Sequence, residues 1–468
     1  MTSFSLIIGT IEALNAKNVK INFFRSSEMA KQALTKQETS QAEAKALART
    51  IRAEAGDTAV GVVIGRTSEF FDFFVYAIAS VLVFPKLIFP FADPLTAMMY
   101  SFSIFPLAFL ARPFGTYIFS KIEINFGRGV KLTSSLFLLG TSTVVIAFLP
   151  GYDTLGLTAA LLLAIFRIAQ GLAWGGAWDG LPSLLSMHAP ADKRGWYAMI
   201  PQLGAMLGLM VASALFAFFV HNLSAEDFYS WGWRYPFFVA FAINVVALFA
   251  RLRIVSTPEY VQLLQMRELQ PQEVFVTIRK EWRNIWAGSF VPLASFALFH
   301  MVTVFPLSWV FLFTNENPAR FLMIELGAAA LGLVAVVASG PIADRIGRNT
   351  LLSITAGAIA AFSGFAPQLL GAGAAGEIVF MTLGFVILGL SFGQSSGVVA
   401  DRFRKEYRYT ASALTSDLAW LFGAGFAPLA ALLLASFFGL MASGAYLLSG
   451  AIGTLVALGI YQGRKAHK

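Results

Sequence analysis

Long apolar runs recur along the chain from about Ala59 to Gly463, separated by short polar stretches. A bilayer core of ~30 Å needs about 20 apolar residues per helix, and these runs have that length. Stretches such as Leu155–Phe166 and Leu326–Val337 lack the apolar–polar alternation of a transmembrane barrel strand. The pattern therefore predicts helices. Six are expected at 58–86, 94–119, 130–149, 154–187, 195–220 and 234–254. The polar stretch Arg251–Arg283 separates them from six more, at 284–313, 320–342, 350–370, 376–399, 409–436 and 442–462. The expected fold class is an all-α integral membrane protein with twelve transmembrane helices in two six-helix bundles. The expected divisions are an N-terminal tail, 1–57, a first bundle, 58–254, an inter-bundle segment, 255–283, a second bundle, 284–463, and a C-terminal tail, 464–468.

Composition sharpens this picture. Only 13% of the 468 residues are charged and 57% are hydrophobic, whereas soluble domains carry about 25% charged residues. The tail differs: Ser26–Ala55 is rich in Gln, Ala, Lys and Glu and reads as a partly disordered, solvated segment. The apolar stretch Phe4–Ile8 is too short for a signal peptide.

The net charge of +8 sits between the spans and needs no nucleic-acid partner. With the N-terminus inside, twenty Lys and Arg fall in cytoplasmic segments after the N-terminal tail, among them Lys121, Arg128, Lys131, Arg251, Arg283 and Arg408, against Lys86, Arg234 and Arg320 outside. Both termini are thus expected in the cytoplasm, in a bacterial inner membrane, with the chain acting as a monomer.

Phosphate-loop, zinc and nucleophile motifs are missing. Gly171 and Gly175-Gly176 lie inside a helix, and His188, His221, His300 and His467 are scattered. No enzyme activity, metal or cofactor is expected.

A charge at mid-bilayer costs ~2.5–3.5 kcal/mol on insertion scales, so those retained face a cavity or a partner. Arg66, Glu69, Asp72 and Tyr76 follow at spacings of 3, 3 and 4 and share one helix face. Asp72 and Glu69 are the candidate proton carriers; an internal Arg66–Glu69 pair is the structural reading. Arg112 precedes Pro113, and its guanidinium can grip a substrate carboxylate, hold Asp72 or bind a helix end. Arg167, Gln170 and Trp174 form a second stripe, with Arg167 near mid-depth as the anion-binding candidate. Asp417, Trp420 and Gln394 are candidates in the second half, and Glu325 has an expected interface role.

Gly127-Arg128 after the second span recurs as Gly347-Arg348 after the eighth, an offset of 220 residues. Two related bundles around a solute site are a transporter plan. Several segments then carry a closer likeness. They are Glu69-Phe-Phe-Asp72-Phe-Phe-Val-Tyr76, Ala111-Arg112-Pro113-Phe-Gly115, Arg167-Ile-Ala-Gln170-Gly171-Leu-Ala-Trp-Gly175-Gly176, Trp231-Gly-Trp233-Arg234, Gly340-Pro-Ile-Ala-Asp344-Arg345-Ile-Gly347-Arg348 and Arg408-Tyr409-Thr410. The chain resembles the major facilitator superfamily, and within it the metabolite:proton symporters that carry citrate, 2-oxoglutarate, shikimate or proline and betaine.

The resemblance implies a conformational latch at Gly127, Arg128, Asp344, Arg345, Gly347 and Arg348. It also exposes departures. The family signature has Gly, Asp and Arg where this chain has Ser120, Ile124 and Asn125, so an altered first latch is expected. The family's Gly-Gly-Glu reads Gly175-Gly176-Ala177, with Asp179 two positions on, about 200° around the helix. Asp417 stands where the family carries an uncharged polar residue.

The expected function is proton-coupled symport of a small organic acid by alternating access. A zwitterion carrier, a proton-coupled exporter and a non-transporting sensor or assembly protein are the alternatives. The span Pro201–Phe219 lacks the Gly-Pro-rich signature of exporters.

Overall fold

The computed structural model describes residues 59–177, 189–190, 192–255, 270–314, 316–395 and 398–466. Helix α1 covers 59–82 and continues past Val83 as Phe84–Ile88. Eleven further helices are long and apolar enough to cross a bilayer. They are α2 Pro94–Phe126, α3 Arg128–Phe148, α4 Leu157–Gly176, α5 Arg194–Asn222, α6 Gly232–Leu252 and α7 Leu293–Phe313, then α8 Pro318–Ile346, α9 Arg348–Leu370, α10 Gly373–Phe392, α11 Arg408–Phe438 and α12 Leu440–Ile460. α1 makes the twelfth. It carries three charges, Arg66, Glu69 and Asp72, and every residue from Phe70 to Leu82 is buried, so it faces protein rather than lipid. No β-strand occurs among the described residues.

Loop residues set the helix ends. Asp93 caps α2 by accepting from Thr96 N at 3.0 Å, and these hydrogen bonds hold its carboxyl below the usual range. Asn317 caps α8 by accepting from Ala319 N at 2.9 Å.

Two six-helix bundles result, and their packing repeats. α2 lies against α4, and α3 against α4 and α6. Six helices later, α8 lies against α10, and α9 against α10 and α12. α2 and α4 approach closely because a Cβ on Gly171 would stand 2.1 Å from the Ala108 carbonyl oxygen. Between the bundles α5 packs against α8, and α2 against α11.

The segment expected as the seventh span, 284–313, divides between two helices. Helix Val274–Ser289 precedes α7, a turn at 290–292 joins the two, and the early helix runs beside the first part of α11. Its partner is interrupted at the same level: α11 widens into a π-helical turn over Leu421–Gly425, and the Phe290 and Phe422 rings stack at 5.7 Å. Asp179 and His188, each singled out in the sequence, lie outside the described residues.

Candidate functional site

A hydrogen-bonded chain crosses the first bundle. Arg167 Nη1 donates to Gln170 Oε1 at 3.0 Å, and Gln170 Nε2 donates to Thr143 Oγ1 at 2.9 Å. Thr143 Oγ1 donates to Asp72 Oδ1 at 2.5 Å. Asn244 Nδ2 donates to the same oxygen at 3.3 Å, and Asn244 Oδ1 accepts from Ser68 Oγ at 2.6 Å. Four helices supply these groups, and Asp72, Thr143, Arg167 and Gln170 are fully buried. Asp72 Oδ2 has no hydrogen-bond partner.

Arg167 is a fully buried cation. Among the described residues no carboxylate comes within salt-bridge distance of it, and its Nη2 has no partner. Aromatic faces surround the guanidinium instead, with Tyr76 at 3.8 Å, Trp174 at 4.9 Å and Phe105 at 5.0 Å from ring centroids. Tyr76 Oη and Trp174 Nε1 are also buried without partners. Three buried donors on α1 and α4, on residues that pack about one guanidinium, thus have no acceptor among the described residues.

An open cavity lies beside this core. Arg66, Glu69, Arg112 and Arg251 line its polar side, and Trp174 and Trp420 stand in its walls. Glu69 bridges two cations: Arg66 Nη1 at 2.7 Å and Arg251 Nη2. Arg112 Nε pairs with Asp417 Oδ1 at 2.7 Å, and Thr116 Oγ1 donates to Asp417 Oδ2 at 2.5 Å, so this ion pair ties α2 to α11. A second cavity meets the first at Arg66 and Trp420, and Ser395, Ser412 and Thr415 line it.

Between the bundles an aromatic layer fills the molecule. Phe74 stacks on Phe299 at 5.5 Å, Phe296 on Trp420 at 4.4 Å, and His300 on Phe73 at 5.2 Å.

Both latch turns sit at one end of the bundles, here termed the latch end. Gly127 and Gly347 each adopt φ +89°, which L side chains rarely enter. Asp344 caps α5 across the bundle boundary, accepting from Gly195 N at 2.6 Å and Trp196 N at 3.2 Å. Arg348 reaches Gln394, whose Nε2 donates to the Gly195 carbonyl and Ser339 Oγ, both at 3.1 Å. Arg345 is exposed.

The first latch has an acid after all. Glu123, buried, takes Arg128 Nε at 2.5 Å and Lys131 Nζ at 2.7 Å, and Tyr409 Oη from α11 donates to its Oε2 at 3.1 Å. Ile124 is 48% exposed and points away.

Comparison with known proteins places this architecture. Residues 26–285 match the family model described as "Sugar (and other) transporter". The chain is 36% identical to the inner membrane metabolite transport protein YhjE of Escherichia coli, over 85% of this chain and 92% of that protein. The chain belongs to the major facilitator superfamily. It is also 29% identical to the shikimate transporter of Escherichia coli, over 81% of this chain and 88% of that one. Among solved structures, the proton:xylose symporter XylE bound to 6-bromo-6-deoxy-D-glucose covers 87% of this chain and 95% of its own with a TM-score of 0.65, at 17% identity, and so shares the fold. The family consists of membrane transporters of sugars and other metabolites, not enzymes.

Several expected placements change in this transporter. Gln394 lines neither of these two cavities; its side chain bonds Arg348, Ser339 and the Gly195 carbonyl beside the Gly347 turn. Neither Arg112 nor Arg167 pairs with Asp72; Asp417 holds Arg112, and Arg167 reaches Asp72 only through Gln170 and Thr143. Arg251, grouped with the loop cations, is a buried partner of Glu69. Thr143, Asn244, Arg251 and His300 were not singled out as site residues: Asn244 and His300 are single polar residues in apolar runs, Thr143 ends a Thr-Ser-Thr run, and Arg251 opens a polar stretch. Glu123 was missed because it stands four residues before Gly127, where Asp344 stands three before Gly347. Its extra methylene covers the offset.

Proposed function

We propose that this transporter carries a small organic acid together with protons by alternating access, with the latch end in the cytoplasm of a bacterial cell. The observation that carries the reading is Arg167. A buried guanidinium without a carboxylate is costly, and a substrate carboxylate would satisfy it, accepting from Arg167 Nη2 and from the unpartnered Tyr76 Oη and Trp174 Nε1.

Asp72 supplies the coupling. An anion at Arg167 repels a second negative charge one relay away, so the anion and a proton on Asp72 bind together. Arg66 and Arg112, at the adjoining cavity, draw anions toward the core, while Glu69 stays paired with Arg66 and Arg251. Each proton moved across 100 mV supplies ~2.3 kcal/mol, about fifty-fold accumulation.

A zwitterion carrier is the second reading. Trp174 and Trp420 in the cavity wall, with Phe70 and Phe73, offer π-faces to an onium group.

Uptake into proteoliposomes of labelled carboxylates and of a betaine, with and without a pH gradient, separates the two. Carboxylates should accumulate with the gradient, and Arg167→Gln should abolish that uptake. Accumulation of the betaine alone, or accumulation indifferent to the gradient, overturns the reading.

A further inference from the structure

A second carboxyl group lies buried between the bundles, away from Asp72. Glu325 sits on α8, about 10 Å along the helix from Pro318, at the end opposite the latches. It is fully buried. Its Oε2 accepts from Ser213 Oγ of α5 at 3.0 Å, across the bundle boundary, and its Oε1 has no partner.

Among the described residues no cation lies within salt-bridge distance of Glu325. Arg320, on the first turn of α8, is taken by Glu316 and lies 3.9 Å from Glu377 of α10. His221 stands eight residues beyond Ser213 on α5 and is exposed. His300 of α7 is stacked on Phe73. α9 carries only Arg348, bound to Gln394 at the latch end. The flanking residues are apolar: Leu209, Phe216 and Ala217 on α5 and Phe321, Leu322 and Ala329 on α8 are buried.

An ionised carboxylate with one hydrogen bond and no cation is far more costly in such a place than a neutral carboxylic acid. Parting α5 from α8 at this end would admit water and remove that cost. We propose that Glu325 is a second proton-binding site, loaded when α5 and α8 close against each other and emptied when they part. Its proton enters and leaves from the same side, because only this end of the interface opens onto it. It therefore controls closure instead of crossing the membrane. The inference rests on alternating access but on neither the substrate nor Asp72.

The chain has no cysteine, so spin labels can be placed at will. His221→Cys on α5 and Met323→Cys on α8 put exposed labels on either side of the interface and remove His221 as a competing titrant. The inter-label distance, measured by pulsed dipolar spectroscopy between about pH 5 and pH 9, should lengthen as pH rises. Glu325→Gln should abolish that change and keep the short distance throughout, while Glu325→Asp should retain it. Asp72→Asn should also retain it.

A pH response that persists in Glu325→Gln, or is lost in Asp72→Asn alone, overturns the proposal. So does a distance that ignores pH in the parent protein. None of these outcomes bears on carboxylate uptake, which tests the proposed function separately.

Discussion

Asp72 and Glu69 lie one turn apart on α1, yet their surroundings give them different parts. Asp72 accepts two hydrogen bonds from neutral groups and has a free oxygen, so it can gain a proton without breaking an ion pair. Glu69 is held by two arginines. Asp72→Asn should abolish gradient-driven accumulation while substrate exchange continues, as read by counterflow in proteoliposomes. Full accumulation in that variant would make Asp72 structural. Glu69→Gln should act on stability: breaking a buried pair costs about 3–5 kcal/mol. Its melting temperature should fall clearly below that of Asp72→Asn, measured in detergent. Helical spacing put Arg66, Glu69, Asp72 and Tyr76 on one face, because periodicity is local. It could not say that Arg251, 182 residues from Glu69, completes the pair.

At the level of elements the latch turns are the informative case. Gly127 combines φ +89° with ψ 166°, a region only glycine occupies without strain of order 1–3 kcal/mol. The chain leaves α2 and opens α3 there without an intervening loop, which brings Glu123, Arg128 and Lys131 together under Tyr409. Glu123→Gln or Tyr409→Phe should therefore raise reactivity of a cysteine introduced at the latch end. Ile124→Asp should leave that reactivity near the parent value, because the new carboxylate lies on an exposed face. A response to Ile124→Asp equal to that of Glu123→Gln would return the latch to the family position.

Over the whole molecule, the two bundles repeat their helix pairings with a shift of six, and α5–α8 and α2–α11 are the contacts between them that the same shift relates. Alternating access on such a frame rocks one bundle against the other around the central site. Loop charge sets the orientation. A cysteine at Asp57 or Gly463 should react only with reagents that enter the cytoplasm, and one at Asp153 with impermeant reagents from outside. The reverse labelling pattern would invert the topology and with it the side on which Glu325 exchanges its proton.

The sequence by itself determined the twelve helices, the repeat marked by Gly127-Arg128 and Gly347-Arg348, and the inward face of α1. Each depends on residues a few positions apart, or on apolar length set against bilayer thickness. Only the tertiary structure decided which charges meet. Thr116 and Asp417, joined by a hydrogen bond, are 301 residues apart, and Tyr409 and Glu123 are 286 apart. A long guanidinium on a known face can reach a carboxylate on any of several neighbouring helices, and helix periodicity gives the face but not the neighbour. Spacing marked Arg167 as the anion-binding candidate, but that no carboxylate among the described residues pairs with it is a property of four packed helices, and no segment of the chain contains it.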